Sequence, residues 1–247
     1  MCVAAVAWNA HPDWLFVCAG NRDEFHDRPA LPLQRWGDGS GIIAGKDLLG
    51  GGTWMGVTES GRFALVTNFR VAEGPRPDRP TRGRLVTGAL TGTDPGDVMA
   101  MNAFNLISID QGSASFTTNH PAFEQRSLEP GIYGLSNGGF DVPWPKTLQV
   151  QHAVSQWMNS GSPDTSPLLD ELRRESLPIA RPGADGGPDQ QFAPVFIRNP
   201  VYGTRCSTVI AVRRDGAGTV IERSFDAAGQ YVSERQDTFA WPSVMLR

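Results

Sequence analysis

Short apolar segments separated by turn residues recur along the chain and predict β-hairpins, because apolar runs of this length bounded by Gly, Pro, Asn and Asp are typical of strands. The predicted strand pairs are 3–8 with 14–19, 53–58 with 62–68, 104–110 with 115–118, and 207–213 with 219–225. The last pair flanks Asp215-Gly216, a strong hairpin signal. One further strand is predicted for residues 231–239.

Helical periodicity is confined to the middle of the chain. Residues 146–158 place four large apolar side chains on one face, and residues 166–175 form a shorter helical pattern. Residues 84–90 and 95–103 are weaker candidates for helices. Strands on both sides of a helical centre favour an α+β protein, with mainly antiparallel sheets covered by helices, over alternating β-α-β units.

Two stretches resemble loops and carry no periodic pattern. Residues 70–82 are rich in Pro and Arg, and residues 178–194 are rich in Gly, Pro and Asp. Solvated connection is the favoured interpretation of both, ahead of a lid over a site.

Composition limits the classes of function that the chain can serve. Its 247 residues, 40% hydrophobic, are interpreted as one domain over 1–247. A formal net charge of −4 without a long basic run argues against nucleic-acid binding. No secretory signal or membrane span is recognised, so we expect a cytoplasmic protein without stable membrane insertion. Three cysteines and four histidines lack metal-ligand spacing, and no metal is expected.

The pairing of the first two strands places charged residues beside the start of the chain. A turn near His11 would set Trp8 opposite Trp14, and Cys2 opposite Gly20 to within two residues. The next four residues, 21–24, are an amide, a guanidinium and two carboxylates. They are therefore expected to emerge beside Cys2.

Cys2 could act as a nucleophile if Met1 is removed. The freed α-amine titrates near ~8 and can serve as a base for the thiol of the same residue. A nearby guanidinium would lower the thiol pKa, and a carboxylate would orient the ammonium form. The plain alternative is a small apolar residue at a frayed terminus, with Arg22 and its acidic neighbours forming an ion pair on a loop.

Short motifs along nearly the whole chain resemble, in order, those of the NRDE family, also called the Transport and Golgi organization family. The motifs are Met1-Cys2, Asn21-Arg22-Asp23-Glu24-Phe25 with Arg28-Pro29, Gly51-Gly52-Thr53-Trp54-Met55-Gly56, Thr67-Asn68, Arg82-Gly83, Phe104-Asn105-Leu106, Tyr133-Gly134-Leu135-Ser136-Asn137, Pro143-Trp144 and Tyr202-Gly203-Thr204-Arg205. One such motif would be weak support, but the ordered set is specific.

The NRDE family is in turn similar to the cysteine N-terminal-nucleophile (Ntn) hydrolases that cleave penicillin V and bile-salt amides. This resemblance implies a four-layer αββα sandwich. It implies catalytic positions at Cys2, Arg22, Asp23, Glu24, Asn68, Asn137 and Arg205. Cys2 would be the nucleophile, Asn68 and Asn137 would donate to an oxyanion, and Arg205 would support the thiolate. Which of the two carboxylates faces Cys2 stays open, and read alone each Asn is better explained as a turn cap.

Two functions follow from the resemblance, and a third class has little support. The first is an amide hydrolase or acyl transferase that acts on linear C–N amides and needs no cofactor. The second is a carrier of haem, acyl-coenzyme A or lipid on the same fold, with haem as a transported ligand. Candidate ligand-binding residues are Asn21, Trp54, Arg70 and Arg82. A membrane-organising scaffold is disfavoured, because neither coiled-coil heptads nor a basic amphipathic helix is found.

Overall fold

The computed structural model describes residues 2–110, 112–176 and 190–242. Within these residues, thirteen strands form two antiparallel sheets. In chain order, the strands are β1 (Val3–Trp8), β2 (Trp14–Phe25), β3 (Ala30–Arg35), β4 (Ile42–Asp47), β5 (Met55–Thr58), β6 (Phe63–Asn68), β7 (Phe104–Asp110), β8 (Ser113–Thr118), β9 (Glu124–Leu128), β10 (Gly131–Leu135), β11 (Tyr202–Arg213), β12 (Ala217–Phe225) and β13 (Tyr231–Ala240). One sheet has the order β10-β1-β2-β11-β12-β13, and the other runs from β3 to β9 in sequence order.

Helices cover the outer face of each sheet. Helix α1 (Gly83–Thr91) packs on the seven-stranded sheet, whereas α2 (Pro145–Asn159) and α3 (Ser166–Leu172) pack on the six-stranded sheet. Short 3-10 turns occur at Val98–Ala100 and Gln190–Phe192. The layers are therefore helix, sheet, sheet, helix, and the expected α+β, four-layer αββα sandwich is confirmed.

Aromatic side chains fill the space between the two sheets. The ring of Phe16 lies 4.5 Å from that of Phe63 and 5.6 Å from that of Trp241, measured between centroids. Tilted and offset pairs at these separations are favourable in addition to the apolar area that they bury. These rings join one sheet to the other, so the inner faces of both sheets are fixed relative to each other.

The direction of α2 follows from the side chains that it buries. Pro145 stands at the first helical position, where a missing N–H costs nothing. Val150 and Val154 pack on the outer face of the six-stranded sheet, and the ring of Trp157 lies 4.8 Å from that of Trp14. Trp14 marks the turn end of the first hairpin, so the beginning of α2 lies toward the other end of that hairpin.

Strand β2 carries two different sets of side chains on its two faces. Val17 and Ala19 belong to the helix-covered core, whereas Phe16 and Cys18 belong to the core between the sheets. Because side chains alternate along a strand, the side chains of Asn21 and Asp23 also lie on the helix-covered face.

Most elements predicted from the sequence pattern are confirmed. All nine predicted strands are present, although β11 begins five residues earlier than predicted, and the helices predicted for 84–90, 146–158 and 166–175 are present with small shifts. A helix over 95–103 is wrong, because only the 3-10 turn Val98–Ala100 forms there. Strands β3, β4, β9 and β10 were not predicted, since their apolar runs are short or interrupted by Gly, Pro or polar residues. The loop predicted for 178–194 lies largely outside the described residues.

The register of the first hairpin is shifted by two residues from the predicted pairing, which lies within the predicted range. Trp8 pairs with Phe16 rather than with Trp14, because the turn extends to the bond in which the Asn9 N–H donates to the Leu15 carbonyl, 2.8 Å. In addition, residues 21–24 continue β2 and do not form a loop.

Candidate functional site

Cys2 lies at the buried start of β1, in line with residues of two neighbouring strands. The pairing of Val3 with Asn21 places Cys2 opposite Arg22, and Arg22 pairs in turn with Cys206 of β11. Cys2, Arg22 and Cys206 therefore form a row across three strands, on the face of the sheet that looks toward the other sheet.

Asn137 approaches Cys2 from the other side of β1. The Ser136 hydroxyl donates to the Cys2 carbonyl, 2.8 Å, so the residue after it stands beside the start of β1. The Asn137 amide nitrogen donates to the Asn68 carbonyl, 2.6 Å, and its buried Oδ1 has no hydrogen-bond partner among the described residues. Asn68 itself is exposed at the end of β6. The Asn137 side chain thus contacts the Asn68 backbone, and Ser136 joins the same segment to Cys2.

Burial and nearby charges act on the Cys2 thiol in opposite directions. Burial raises the thiol pKa, and the negative charge of Asp23 adds to this effect. The backbone N–H of Asp23 and the guanidinium of Arg22 lower the thiol pKa. Burial away from water therefore opposes ionisation of the Cys2 thiol, whereas the Asp23 N–H and the Arg22 guanidinium favour the thiolate.

Two further cations interact with Cys2. Burial lowers the pKa of Arg82 to about 10, whereas the negative charges of Cys2 and Glu24 act to raise it. Burial also lowers the pKa of Lys146, while the charges of Asp23 and Cys2 act to raise it. Both cations favour the thiolate of Cys2.

The two carboxylates after Arg22 have different surroundings. Asp23 is buried on the helix-covered face, where the Thr204 hydroxyl donates to its Oδ1, 2.7 Å. Burial raises the pKa of Asp23, whereas Lys146 and the Thr204 bond lower it. Glu24 lies nearer the surface, with one oxygen 3.8 Å from an Arg22 nitrogen. Of the two, Asp23 is the carboxylate that interacts electrostatically with Cys2.

Lys146 was not predicted as a site residue. Its side chain is fully buried in the first turn of α2, and its ammonium donates to the Phe192 carbonyl, 3.1 Å. Lysine is rarely buried in this way, and a cation is disfavoured at the beginning of a helix. A lysine directly after Pro145 at a helix start was the available signal, but periodicity alone assigned this position to an ordinary helix end.

Arg205 lies on the far side of Arg22 from Cys2. It occupies a bulge between Thr204 and Cys206. One of its terminal nitrogens donates to the carbonyls of Phe25, His26 and Arg28 at 2.9, 3.1 and 3.1 Å. Burial lowers the pKa of Arg205, and the positive charge of Arg22 acts in the same direction. Its charge therefore interacts with that of Arg22, and its side chain holds the segment after β2.

The four candidate ligand-binding residues occupy separate places. The Asn21 amide donates to the carbonyls of Leu172 and Val195 on the helix-covered side, at 2.7 and 2.9 Å. Trp54 lines a cavity of about 240 Å³ between the sheets. Arg70 is exposed, and its backbone N–H donates to the Asn137 carbonyl, 2.8 Å. Arg82 is half-buried and donates to the Ala103 carbonyl, 3.1 Å.

Within residues 2–110, 112–176 and 190–242, His, Cys, Asp and Glu side chains form no group of three that could hold a metal ion. No helix in that part of the chain is both long enough and apolar enough to cross a membrane.

Comparison with solved structures gives distant similarities. An N-acylethanolamine-hydrolyzing acid amidase ortholog of Caenorhabditis elegans aligns over 84% of this chain and 92% of its own, with 12% identity and a TM-score of 0.49. A mutant conjugated bile acid hydrolase of Clostridium perfringens covers 98% of this chain and 97% of its own, with 9% identity and a TM-score of 0.41. These values add nothing to what the four layers already establish.

Comparison of sequences gives a close relationship. The profile of the family described as Transport and Golgi organisation 2 matches residues 1–227. The Transport and Golgi organization protein 2 homolog of Homo sapiens is 32% identical, over 91% of this chain and 93% of its own length. Transport and Golgi organization protein 2 of Drosophila melanogaster is 25% identical over 91% and 92%. The chain belongs to the Transport and Golgi organisation 2 family.

Proposed function

We propose that the protein is an amide hydrolase or acyl transferase whose nucleophile is the thiol of Cys2. The observation that carries the proposal is the surroundings of this thiol. The sulfur lies at a buried strand end, with the cations Arg22, Arg82 and Lys146 within electrostatic reach. Cations beside a cysteine favour its nucleophilic thiolate form.

The reaction would proceed through a thioester. The Cys2 sulfur forms a bond to the acyl carbon while the C–N bond breaks, and the amine leaves with the proton that the thiol has lost. Water or a second amine then attacks the thioester, the C–S bond breaks, and a proton returns to the sulfur. Removal of Met1 would supply the base, since a free α-amine at Cys2 titrates near ~8.

Two amide side chains suit the developing negative charge. The Asn137 side chain is held near the start of β1 by the bond from its nitrogen to the Asn68 carbonyl, 2.6 Å, and the Asn68 side chain, at the exposed end of β6, would supply the second donor. Donors fixed before the reaction stabilise an oxyanion without the cost of reorganisation. Asp23, through its backbone N–H, would keep the sulfur oriented.

The test begins with the intact mass of the purified protein, which must lack Met1 for the free-amine mechanism. Hydrolysis and transfer are then measured on a panel of acyl anilides and acyl thioesters. Cys2→Ala should lower kcat/KM by roughly a thousandfold or more while ligand affinity holds, because the nucleophile acts mainly in the transition state.

Cys18→Ala is the matched control, since Cys18 is buried in the core between the sheets, 3.5 Å from the Met55 sulfur, and takes no part in the proposed steps. It should retain turnover. Equal turnover in Cys2→Ala and wild-type protein, or none in either across the panel, would refute the enzyme. Binding of an acyl ligand without turnover would favour a carrier on the same fold.

A further inference from the structure

A cavity of about 240 Å³ lies between the two sheets, on the side of Arg22 away from Cys2. Strands of both sheets contribute to its walls. Its lining includes Arg22, Lys46, Trp54, Arg205, Glu222 and Val232. Cys2 is not part of its lining, whereas Arg22 and Arg205 belong both to this cavity and to the site described above.

Positive charge dominates this cavity. Arg22 and Arg205 line it; Lys46 also lines it, but its ammonium lies over the Trp36 ring, 4.2 Å from the ring centroid. Of the two acids in its wall, Asp47 is already bound by Arg28, with the nearest oxygen and nitrogen 2.7 Å apart. The second acid is Glu222.

Glu222 is a poor counterion for these cations. It is buried, and its carboxyl group accepts a hydrogen bond from the Leu33 N–H, 2.7 Å, and a longer one from the Thr208 hydroxyl, 3.4 Å. Burial raises its pKa, which favours the neutral acid, although Arg22 and the bonds it accepts act the other way. The cations of the cavity therefore exceed its effective negative charge.

Arg205 is positioned in advance of any ligand. The bulge in β11 turns it into the cavity, and one terminal nitrogen is fixed by three backbone carbonyls. Arg22 is buried, and its nearest carboxylate oxygen, on Glu24, lies 3.8 Å away, which is longer than a hydrogen bond. Two guanidinium groups held in this way match the planar, paired oxygens of a carboxylate.

Apolar side chains line the rest of the cavity and its mouth. Trp54 and Phe225 contribute to the wall. Leu31 and Val232 also line it, although they are 40% and 60% exposed. Apolar residues at the entrance of a cationic cavity suit a ligand that has an apolar part next to an acidic group.

We propose that this cavity binds a small organic carboxylate, with the carboxylate group at Arg22 and Arg205 and the apolar part against Trp54 and Val232. Arg22 separates the bound ligand from Cys2. Binding itself does not depend on the proposed function, because none of the cavity contacts involves Cys2.

The test uses full-length Cys2→Ala protein, so that binding is measured without turnover. Calorimetry with butanoate, hexanoate and octanoate should show affinity rising by about fourfold per added methylene until the cavity is full, which corresponds to ~0.8 kcal/mol per buried methylene. Octanamide, which lacks the charge, should bind at least about tenfold more weakly, and inorganic phosphate should not compete with octanoate.

Two variants locate the site. Adding Arg22→Met should weaken octanoate binding by about tenfold to a hundredfold, the loss expected for a charged hydrogen bond. Val232→Asp places a negative charge at an exposed position of the mouth, where folding is not at risk, and should also weaken binding. Arg76→Met, at an exposed arginine paired with Asp78, is the matched control and should bind as before.

Three results would overturn the proposal: no octanoate binding at millimolar concentration, equal affinity for octanoate and octanamide, or unchanged affinity in both Arg22→Met and Val232→Asp. Octanoate binding in a protein without amide or thioester turnover would support the cavity proposal and would refute only the proposed enzymatic activity of Cys2.

Discussion

The two faces of β2 carry buried polar side chains that are used in different ways. On the helix-covered face, Asn21 has three hydrogen bonds with protein groups, and Asp23 accepts one from the Thr204 hydroxyl. On the face between the sheets, Arg22 lies between Cys2 and a cavity, and its nearest carboxylate, on Glu24, is 3.8 Å away.

The comparison separates residues that hold the fold from residues that can bind. A buried amide with every partner inside the protein contributes to stability, because losing it would leave donors and acceptors unpaired. A buried guanidinium without a close carboxylate, facing a cavity, is costly for the fold and suited to a ligand. Residues adjacent in sequence therefore serve opposite purposes.

The largest expected effect is on the helix-covered face. Asn21→Leu should lower the free energy of unfolding by about 3–5 kcal/mol, because the Leu172 and Val195 carbonyls and the Ser207 hydroxyl would lose their buried partner. Urea denaturation monitored by tryptophan fluorescence measures the change. The neighbouring Arg22→Met should change it by less than about 1 kcal/mol, because removing the desolvation cost of a buried charge offsets the loss of its 3.8 Å contact with Glu24.

If Arg22→Met destabilises the protein as much as Asn21→Leu does, the two faces do not differ in the way proposed. A cost below about 1 kcal/mol for Asn21→Leu would have the same meaning, because three buried hydrogen bonds would then contribute almost nothing.

Much of this contrast follows from the sequence, but its decisive details do not. Alternating side chains predict that Asn21 and Arg22 face opposite ways once both lie in a strand. The apolar run ending at Ala19 gave no sign that β2 continues to Phe25, because polar residues from Asn21 onward are typical of a loop. Pairing with β11 stabilises this extension. The local pattern of apolar and polar residues does not reveal pairing with a strand so distant in sequence.

Within the site, the resemblance supplied residue identities but not their neighbours. It implied Arg205 beside the thiolate, whereas the bulge in β11 turns Arg205 toward the cavity and the segment after β2. It gave no role to Lys146, because burial of a lysine at a helix start depends on how α2 packs against β1 and β2. The pattern left the register of the first hairpin open by two residues, and the structure places Cys2 opposite Arg22 rather than Gly20.

A smaller effect is expected from Lys146, which joins the two faces electrostatically. Lys146→Met removes a buried cation that favours the Cys2 thiolate. The pKa of the Cys2 thiol should rise, and alkylation of Cys2 by iodoacetamide at pH 7 should slow by a factor on the order of ten. Mass spectrometry after proteolysis identifies which cysteine reacts.

Lys46→Met is the matched control for this measurement, because Lys46 lines the cavity beyond Arg22 and is not among the charges that act on Cys2. It should leave the alkylation profile of Cys2 unchanged. Equal profiles for wild-type and Lys146→Met protein would mean that the helix-covered face does not influence the thiol.

The smallest effect concerns pH and the buried acid of the inner face. Burial raises the pKa of Glu222 above its unfolded value near ~4.3. Folded protein therefore holds this proton more tightly than unfolded protein does. The stability that results is fully present below the unfolded pKa and is lost as pH rises through the folded pKa.

Glu222→Gln should remove that part of the pH dependence with little change in stability near pH 4, because glutamine can still accept from the Leu33 N–H and donate toward Thr208. Urea denaturation of both proteins between about pH 4 and pH 7.5 gives a difference curve, from which the contribution of Asp23 cancels because it is present in both. The wild-type protein should lose stability relative to the variant as pH rises. Exposed Glu129→Gln is the matched control, and a flat difference curve for Glu222→Gln would mean that the cavity contains an ionised acid, which would weaken the case for an anionic ligand there.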